Sequence, residues 1–403
     1  MTPIAEQLAA WAHKYQPTRQ DVELAQRSLV DTVAVALAAR NSPLTALVGG
    51  LPAAARWSAA GHALDYDDLH IKSTTHVSAV CVPATLATRG DAHAYLVGAG
   101  VMTRLGTALG WNHYSRGWHA TCTAGAPAAA VTASLALGLS TEQTAAAMAL
   151  AVPAAGGVQR AFGSEGKSLQ VGFAAAAGVR AARLAAAGAT SDPSALDQWL
   201  GLVGGDASAV DLDGPAVPGG LAIKVFPCCY ALQRPISATQ HLRRVGVYAD
   251  DIQRITVTTP EGTVQPLIYH HPKTGLQAKF SLEYAVASAL LDEYPGFDSF
   301  TDPFVLRSQA QQLIGRIDTI LTPGGDHLLA GEALVTAYLR DGSTRSERLQ
   351  LPPGSPRQPP TASEFAAKLA ECGPDVPGLL SGINWASAAM LLAEAFPPTS
   401  SAD

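Results

Sequence analysis

The stretch beginning at His62, HALDYDDLHIKSTTH, packs three carboxylates (Asp65, Asp67, Asp68), three imidazoles (His62, His70, His76) and Lys72 into fifteen residues of a chain that is only 15% charged. Carboxylates beside imidazoles suit general acid–base chemistry, because imidazole titrates near neutrality and a carboxylate orients and charges it. If AAGHALDYDD is helical, His62, Asp65 and Asp68 share one face at three-residue spacing and Asp67 points away. His76 then lies on an irregular segment, ahead of a helix whose first turn would hold Pro83. Taken singly, each of these residues reads equally well as part of a solvated helix end.

Three further stretches offer partners. WNHYSRGWHATCTAGAP gathers Trp111, His113, Tyr114, Arg116, Trp118 and His119 before an Ala-rich helix. At a helix N-terminus the dipole lowers the proton affinity of His119, a setting for a neutral imidazole base. GSEGKSLQVG carries Lys167, and AIKVFPCCYALQRP carries Lys224. A lysine in such apolar, Gly- or Pro-punctuated surroundings calls for an anionic partner, such as a substrate carboxylate. The oxygen and nitrogen donors of the first stretch also have the composition of a metal site. DYDDLH, however, lacks the DDxxD pairing of diphosphate-binding magnesium sites, and acid–base work without a metal is the expectation. The chain contains no GxxxxGK[ST], HExxH or GxSxG, and no GxGxxG after a strand, which removes ready readings as a nucleotide-binding protein, zincin or serine hydrolase.

The elements that must position these groups are mostly helical. TRQDVELAQRSLVDTVAVALAAR spaces Val22, Ala25, Leu29, Val33 and Leu37 at helical intervals, with Asp21 in the first turn. STEQTAAAMALAV opens with a capping-box spacing, Ser140 to Gln143, and runs apolar on nearly every face, as expected of a central buried helix. Near Gly219 the pattern changes. DIQRITVTTPEG alternates Ile255 and Val257 with polar residues, and Asp341-Gly342 separates two alternating runs as in a β-hairpin. FSLEYAVASALLDEY and PFVLRSQAQQLIGRI look helical, and the proline-rich LPPGSPRQPPTASEF leads into closing helices. The expectation is a mainly α protein: a large all-helical domain (1–222 and 355–403) and a smaller α+β lid domain (223–354).

Composition narrows the function. The chain has 403 residues, 48% hydrophobic with 6% aromatic, and a net charge of −6 without a basic stripe, so nucleic acid is not an expected partner. No apolar run approaches the ~20 residues of a membrane helix, and no secretory leader is apparent, so a cytoplasmic protein without a membrane partner is expected. The five cysteines, Cys81, Cys122, Cys228, Cys229 and Cys372, show no CxxC spacing and read as reduced thiols.

Taken in order, these motifs resemble the MmgE/PrpD family, which includes 2-methylcitrate dehydratase, cis-aconitate decarboxylase and iminodisuccinate epimerase. HALDYDDLHIKSTTHVSAVCVPATLA resembles its H-x-L-D-[FY]-D-D segment, RGWHATCTAG its G-[FW]-H-x-T, GSEGKSLQVGFAAAAG its K-x-x-x-x-G, KVFPCCYALQ its K-x-[FY]-P and QAKFSLEYAVASALL its A-x-F-S-x-x-Y. The resemblance implies a homodimer, a site between lid and helical domain without metal or cofactor, and a small carboxylic acid substrate. It implies Asp65, His76, His119, Lys167 and Lys224 as catalytic residues, with Lys167, Lys224, Gln170 and Cys229 binding substrate. One histidine would take a proton from a carbon beside a carboxylate, with Asp65 orienting its partner imidazole. Leu69, Gln170 and Cys228-Cys229 depart from the decarboxylase pattern. A dehydratase-like lyase is the leading expectation, followed by a dicarboxylate epimerase and then a non-catalytic helical binding protein.

Overall fold

The computed structural model describes residues 2–399. Two compact units are present: one holds the chain up to Arg160, Gly166–Leu221 and the residues from Ser363 onward, and the other holds Ala161–Glu165 and Ala222–Ala362. The protein is mainly α, with a small α+β portion, and among the described residues no helix is long and apolar enough to cross a membrane.

The first unit is helical. Its principal elements are α1 (Arg19–Ala38), α2 (Ala53–Ala63), α3 (Val77–Ala87), α4 (Ala92–Ser115), α5 (Ala120–Ala136), α6 (Thr141–Ala151) and α7 (Gly166–Ala186). Capping boxes start α1, between Thr18 and Asp21, and α6, between Ser140 and Gln143, each satisfying amides that a helix start leaves orphaned. The central helix is α5, buried at every residue from Ala120 to Ser134. The helix after Ser140 instead leaves Ala146 and Leu150 partly exposed. Both are alanine-rich, and alanine permits close approach without specifying which helix lies innermost. Close approach is needed between α5 and α7, where a Cβ at Gly178 would stand 2.5 Å from the Ala126 carbonyl oxygen. Pro83 falls in the middle of α3, not in its first turn. Lacking an amide, it cannot complete the helical bond to the Ala79 carbonyl.

The second unit is built on a four-stranded sheet, β1 (Ile252–Pro260), β2 (Ile317–Thr322), β3 (Ala333–Leu339) and β4 (Thr344–Leu349), in the order β2-β1-β3-β4. β1 pairs parallel to β2 (Ile255 opposite Ile317) and antiparallel to β3 (Val257 opposite Val335). The β3–β4 hairpin turns at Asp341-Gly342, where Gly342 takes φ +84°. Helices α8 (Gln233–Arg244) and α9 (Leu282–Leu291) cover the sheet, and Ile255, Val257, Val335, Ile236, Ala285 and Val286 share its core.

After the proline-rich stretch, α10 (Ala362–Glu371) and α11 (Trp385–Ala395) close the chain, and α11 packs on α1 and α3. In α10, Lys368 drives its ammonium into the helical core, 2.6 Å from Asp31 Oδ1 and 2.8 Å from the Tyr66 carbonyl oxygen, which accepts a hydrogen bond. The same ammonium lies 4.2 Å from the centre of the Tyr66 ring, and the Tyr66 hydroxyl donates to Glu371 at 2.7 Å. Tyr66 is thus clamped at both ends between Asp65 and Asp67. Removing one partner of a buried ion pair strands the other, so Lys368→Met should cost about 3–5 kcal/mol of stability in denaturant titrations. Asp31→Asn combined with Lys368→Met should recover a large part of that loss; equal losses in single and double variants would show that the pair does not carry it.

Candidate active site

Helix α2 ends at Ala63, so the carboxylates after His62 lie on an irregular segment and not on a helical face. Asp65 adopts φ +54°, the left-handed region that aspartate enters more readily than most residues, and this reverses the chain. Beyond it, an isolated bridge between His70 and Thr75 closes the loop, with the His70 amide donating to the Thr75 carbonyl at 2.8 Å. The reversal turns Asp67 inward, opposite to the helical expectation.

Helix ends supply the rest. His76 immediately precedes the first residue of α3, His119 that of α5, Lys167 is in the first turn of α7, and His62 is near the C-terminus of α2. All four are buried. The His62 and His76 rings stand edge to face at 4.6 Å between centres, and those of His62 and His119 are 6.0 Å apart.

One hydrogen-bonded chain joins most of these groups. The Lys167 ammonium lies 3.0 Å from Asp65 Oδ1 and 2.6 Å from His62 Nε2. An ammonium only donates, so His62 Nε2 accepts and the ring's proton is on Nδ1, which donates to Asp67 Oδ2 at 2.8 Å. The same oxygen lies 3.0 Å from His76 Nδ1, which is also 3.0 Å from the Asp68 carbonyl oxygen. Both of those neighbours are acceptors, so His76 also carries its proton on Nδ1, leaving the lone pair on Nε2. Burial pushes the Asp67 carboxyl upward, but the two imidazoles outweigh it and hold the carboxyl well below the usual range. Burial lowers His62, which stays neutral beside this anion.

His119 is held from its other side. Its Nδ1 is 2.7 Å from Gln170 Nε2 and 3.3 Å from Cys122 Sγ. Gln170 Oε1 accepts from the Val158 amide at 3.0 Å, while Nε2 donates to the Val158 carbonyl at 3.2 Å, so the backbone fixes which end of the amide faces the histidine. The Gly157 carbonyl accepts from the His119 amide at 3.0 Å. Gly157 has φ +128°, and a Cβ there would meet Cys122 Cβ at 2.7 Å. Burial, and then the Lys167 charge, push His119 well below the ordinary imidazole value.

Of the residues singled out from sequence, Asp65, His76, His119, Lys167 and Gln170 gather in the first unit. Lys224 and Cys229 are buried in the second, where the Cys229 amide donates to the Lys279 carbonyl at 3.1 Å. The orienting carboxylate expected of Asp65 is supplied to both imidazoles by Asp67, while Asp65 pairs with Lys167. His62 and Asp67 are the additions to the predicted set; both lie within H-x-L-D-[FY]-D-D, the signal that could have found them. By distance, His62, Asp65, Asp67 and His76 could each turn one atom to a metal ion, within 4.8 Å of one another. The Lys167 ammonium already supplies a cation to His62 and Asp65, so a divalent ion there would meet like charge.

Two family models match the chain: the MmgE/PrpD N-terminal domain over residues 50–205 and the MmgE/PrpD C-terminal domain over residues 226–378. Among curated proteins, the chain is 26% identical over 337 residues to the cis-aconitate decarboxylase of Homo sapiens, covering 76% of this chain and 69% of that protein. It is 25% identical over 353 residues to the cis-aconitate decarboxylase of Aspergillus terreus, covering 76% and 71%.

Asp68 stands behind this chain of contacts, accepting from the Ser78 amide at 3.1 Å and paired through Oδ2 with the Ser78 hydroxyl, which meets the Tyr95 hydroxyl at 2.8 Å. Burial raises its carboxyl to about 7. The folded protein therefore holds a proton here that the unfolded chain releases from its ordinary value of 3.8 upward. The Asp68 contribution to stability should fall as pH rises from the ordinary carboxylate range to about 7 and be flat above. Asp68→Asn should melt a few degrees above wild type at alkaline pH and lose that advantage near the ordinary carboxylate value. Parallel melting curves across the pH range would contradict this.

Proposed function

Because the chain belongs to the MmgE/PrpD family, we propose that it is a lyase that removes a proton from a carbon beside a carboxylate of a small di- or tricarboxylic acid. The observation that carries this reading is the Asp67 carboxylate shared by His62 and His76, which leaves His76 Nε2 with a lone pair and a buried anion behind the ring. Such a pair is built to take a proton. The C–H bond breaks, its proton goes to His76 Nε2, and Asp67 stabilises the resulting imidazolium. The electron pair moves toward the neighbouring carboxylate, and if the outcome is dehydration the C–O bond breaks as the β-hydroxyl takes the proton back from His76 and leaves as water.

An anionic substrate agrees with the setting. The N-termini of α3, α5 and α7 all contribute residues to the cluster, bringing the positive ends of three helix dipoles to it together with Lys167. The names of the two relatives favour a second outcome, decarboxylation of an unsaturated tricarboxylic acid. In that case no C–H proton need be removed: the bond to the departing carboxylate breaks with loss of carbon dioxide, its electron pair moves into the carbon framework, and His76, protonated from solvent water, delivers the one proton the product gains.

A panel of di- and tricarboxylic acids incubated in D₂O and followed by NMR tests the proposal, because α-deuterium incorporation reports proton abstraction whatever the net product. At least one acid should exchange or turn over; loss of water, loss of carbon dioxide or inversion then separates lyase from epimerase. His76→Gln and Asp67→Asn should each lower turnover by roughly 10²-fold or more. Chelation should leave the wild-type rate unchanged. Full activity in folded His76→Gln, or chelator-sensitive turnover with stoichiometric metal, would sink this mechanism.

A further inference from the structure

We infer that His119 serves as a neutral hydrogen-bond donor through Nε2–H, held against a substrate oxygen on which negative charge develops, and that Gln170 is the positioning residue that fixes this role. The inference rests on the carboxylate-lyase reading above. Its basis is the polarity of the contacts on Nδ1. The Val158 amide and carbonyl leave the Gln170 side chain one satisfactory orientation, with its NH₂ group toward the histidine. That group can only donate, so His119 Nδ1 must accept, and the proton of the neutral ring is on Nε2. The Cys122 thiol, 3.3 Å from the same nitrogen and kept protonated by burial, supports the same tautomer.

The arrangement is specified by backbone as well as side chains. The Val158 segment is tied to the turn before His119 through its bridge with Trp118 and through the Gln159 amide, which donates to the Gly117 carbonyl at 2.8 Å. Gly157 leaves no room for a side chain between Cys122 and Gln170. His119 and His76 therefore have opposite polarity at Nε2: His76 presents a lone pair, His119 an N–H. A neutral imidazole is a very weak acid, so His119 suits charge stabilisation and not complete proton donation. The substrate proton goes to His76, the electron pair settles on the substrate carboxylate, and the Nε2–H bond of His119 stays intact.

The test begins with the wild-type protein labelled with ¹⁵N-histidine, with His119 resonances assigned by their loss in His119→Gln. Nδ1 should be pyridine-type and Nε2 pyrrole-type, unchanged from mildly acidic to alkaline pH. A pyrrole-type Nδ1 in wild type overturns the inference without recourse to any variant. Gln170→Glu replaces the donor by an acceptor, so it should move the proton to Nδ1 or protonate both nitrogens, and lower kcat by about 10²-fold with a smaller change in KM. Gln170→Leu keeps the bulk and removes the donor, so it should give a mixture of tautomers and an intermediate rate. Unchanged spectra and rates in both folded variants would remove Gln170 from the role. The expected wild-type spectrum with no exchange or turnover of any acid would overturn the lyase reading and the substrate role of His119, while the tautomer assignment would stand.

Discussion

One carboxylate oxygen, Asp67 Oδ2, takes the Nδ1 protons of both His62 and His76, and the chemistry of the cluster depends on that sharing. A buried anion is costly unless it is hydrogen-bonded, and here the compensation comes from the two rings it orients. The consequence is directional. With both Nδ1 positions occupied by protons, the Nε2 of His62 accepts from Lys167, and the ring lone pair of His76 is on Nε2. Lys167 then passes to Asp65, placing a cation between that carboxylate and His62.

Such a cluster requires several helix ends to meet within a few ångströms, and the alanine- and glycine-rich composition makes this possible. Helix α5 is buried through most of its length, and Gly178 of α7 fits against its backbone where any side chain would collide. The final helices contribute from behind. Lys368 reaches Asp31 and the Tyr66 carbonyl, fixing the residue between the two carboxylates that face the histidines. The loop is thus held from a segment three hundred residues away in sequence, and its left-handed turn at Asp65 persists because both flanks are fastened.

The three histidines differ in state although they lie close together. Burial disfavours the charged form of His62 and His119, and Lys167 adds to that effect on both. What separates the rings is the partner on Nδ1: a carboxylate for His62 and His76, an amide donor for His119. That difference gives rings of one residue type opposite polarity at Nε2, a lone pair on His62 and His76 and an N–H on His119.

The sequence by itself was enough for the mainly α class, the capped starts of α1 and α6, the strand character of β1 and the Asp341-Gly342 hairpin, because each depends on local periodicity or turn chemistry. The resemblance carried by the ordered motifs implied one set, Asp65, His76, His119, Lys167, Lys224, Gln170 and Cys229, of which Lys224 and Cys229 lie in the second unit and the others in the first. The direction in which Asp67 points was beyond such reading, since it depends on α2 stopping at Ala63 and on a single left-handed residue, and a helical wheel drawn through that point turns the side chain outward. Which alanine-rich helix lies at the centre was equally hidden, for alanine fits any tight contact without preferring one. The proton on His119 was hidden as well: it depends on a glutamine fifty-one residues later, whose orientation is set by the amide and carbonyl of Val158. Side-chain periodicity follows the chain, whereas hydrogen-bond polarity between helix ends exists only once the ends have been packed together.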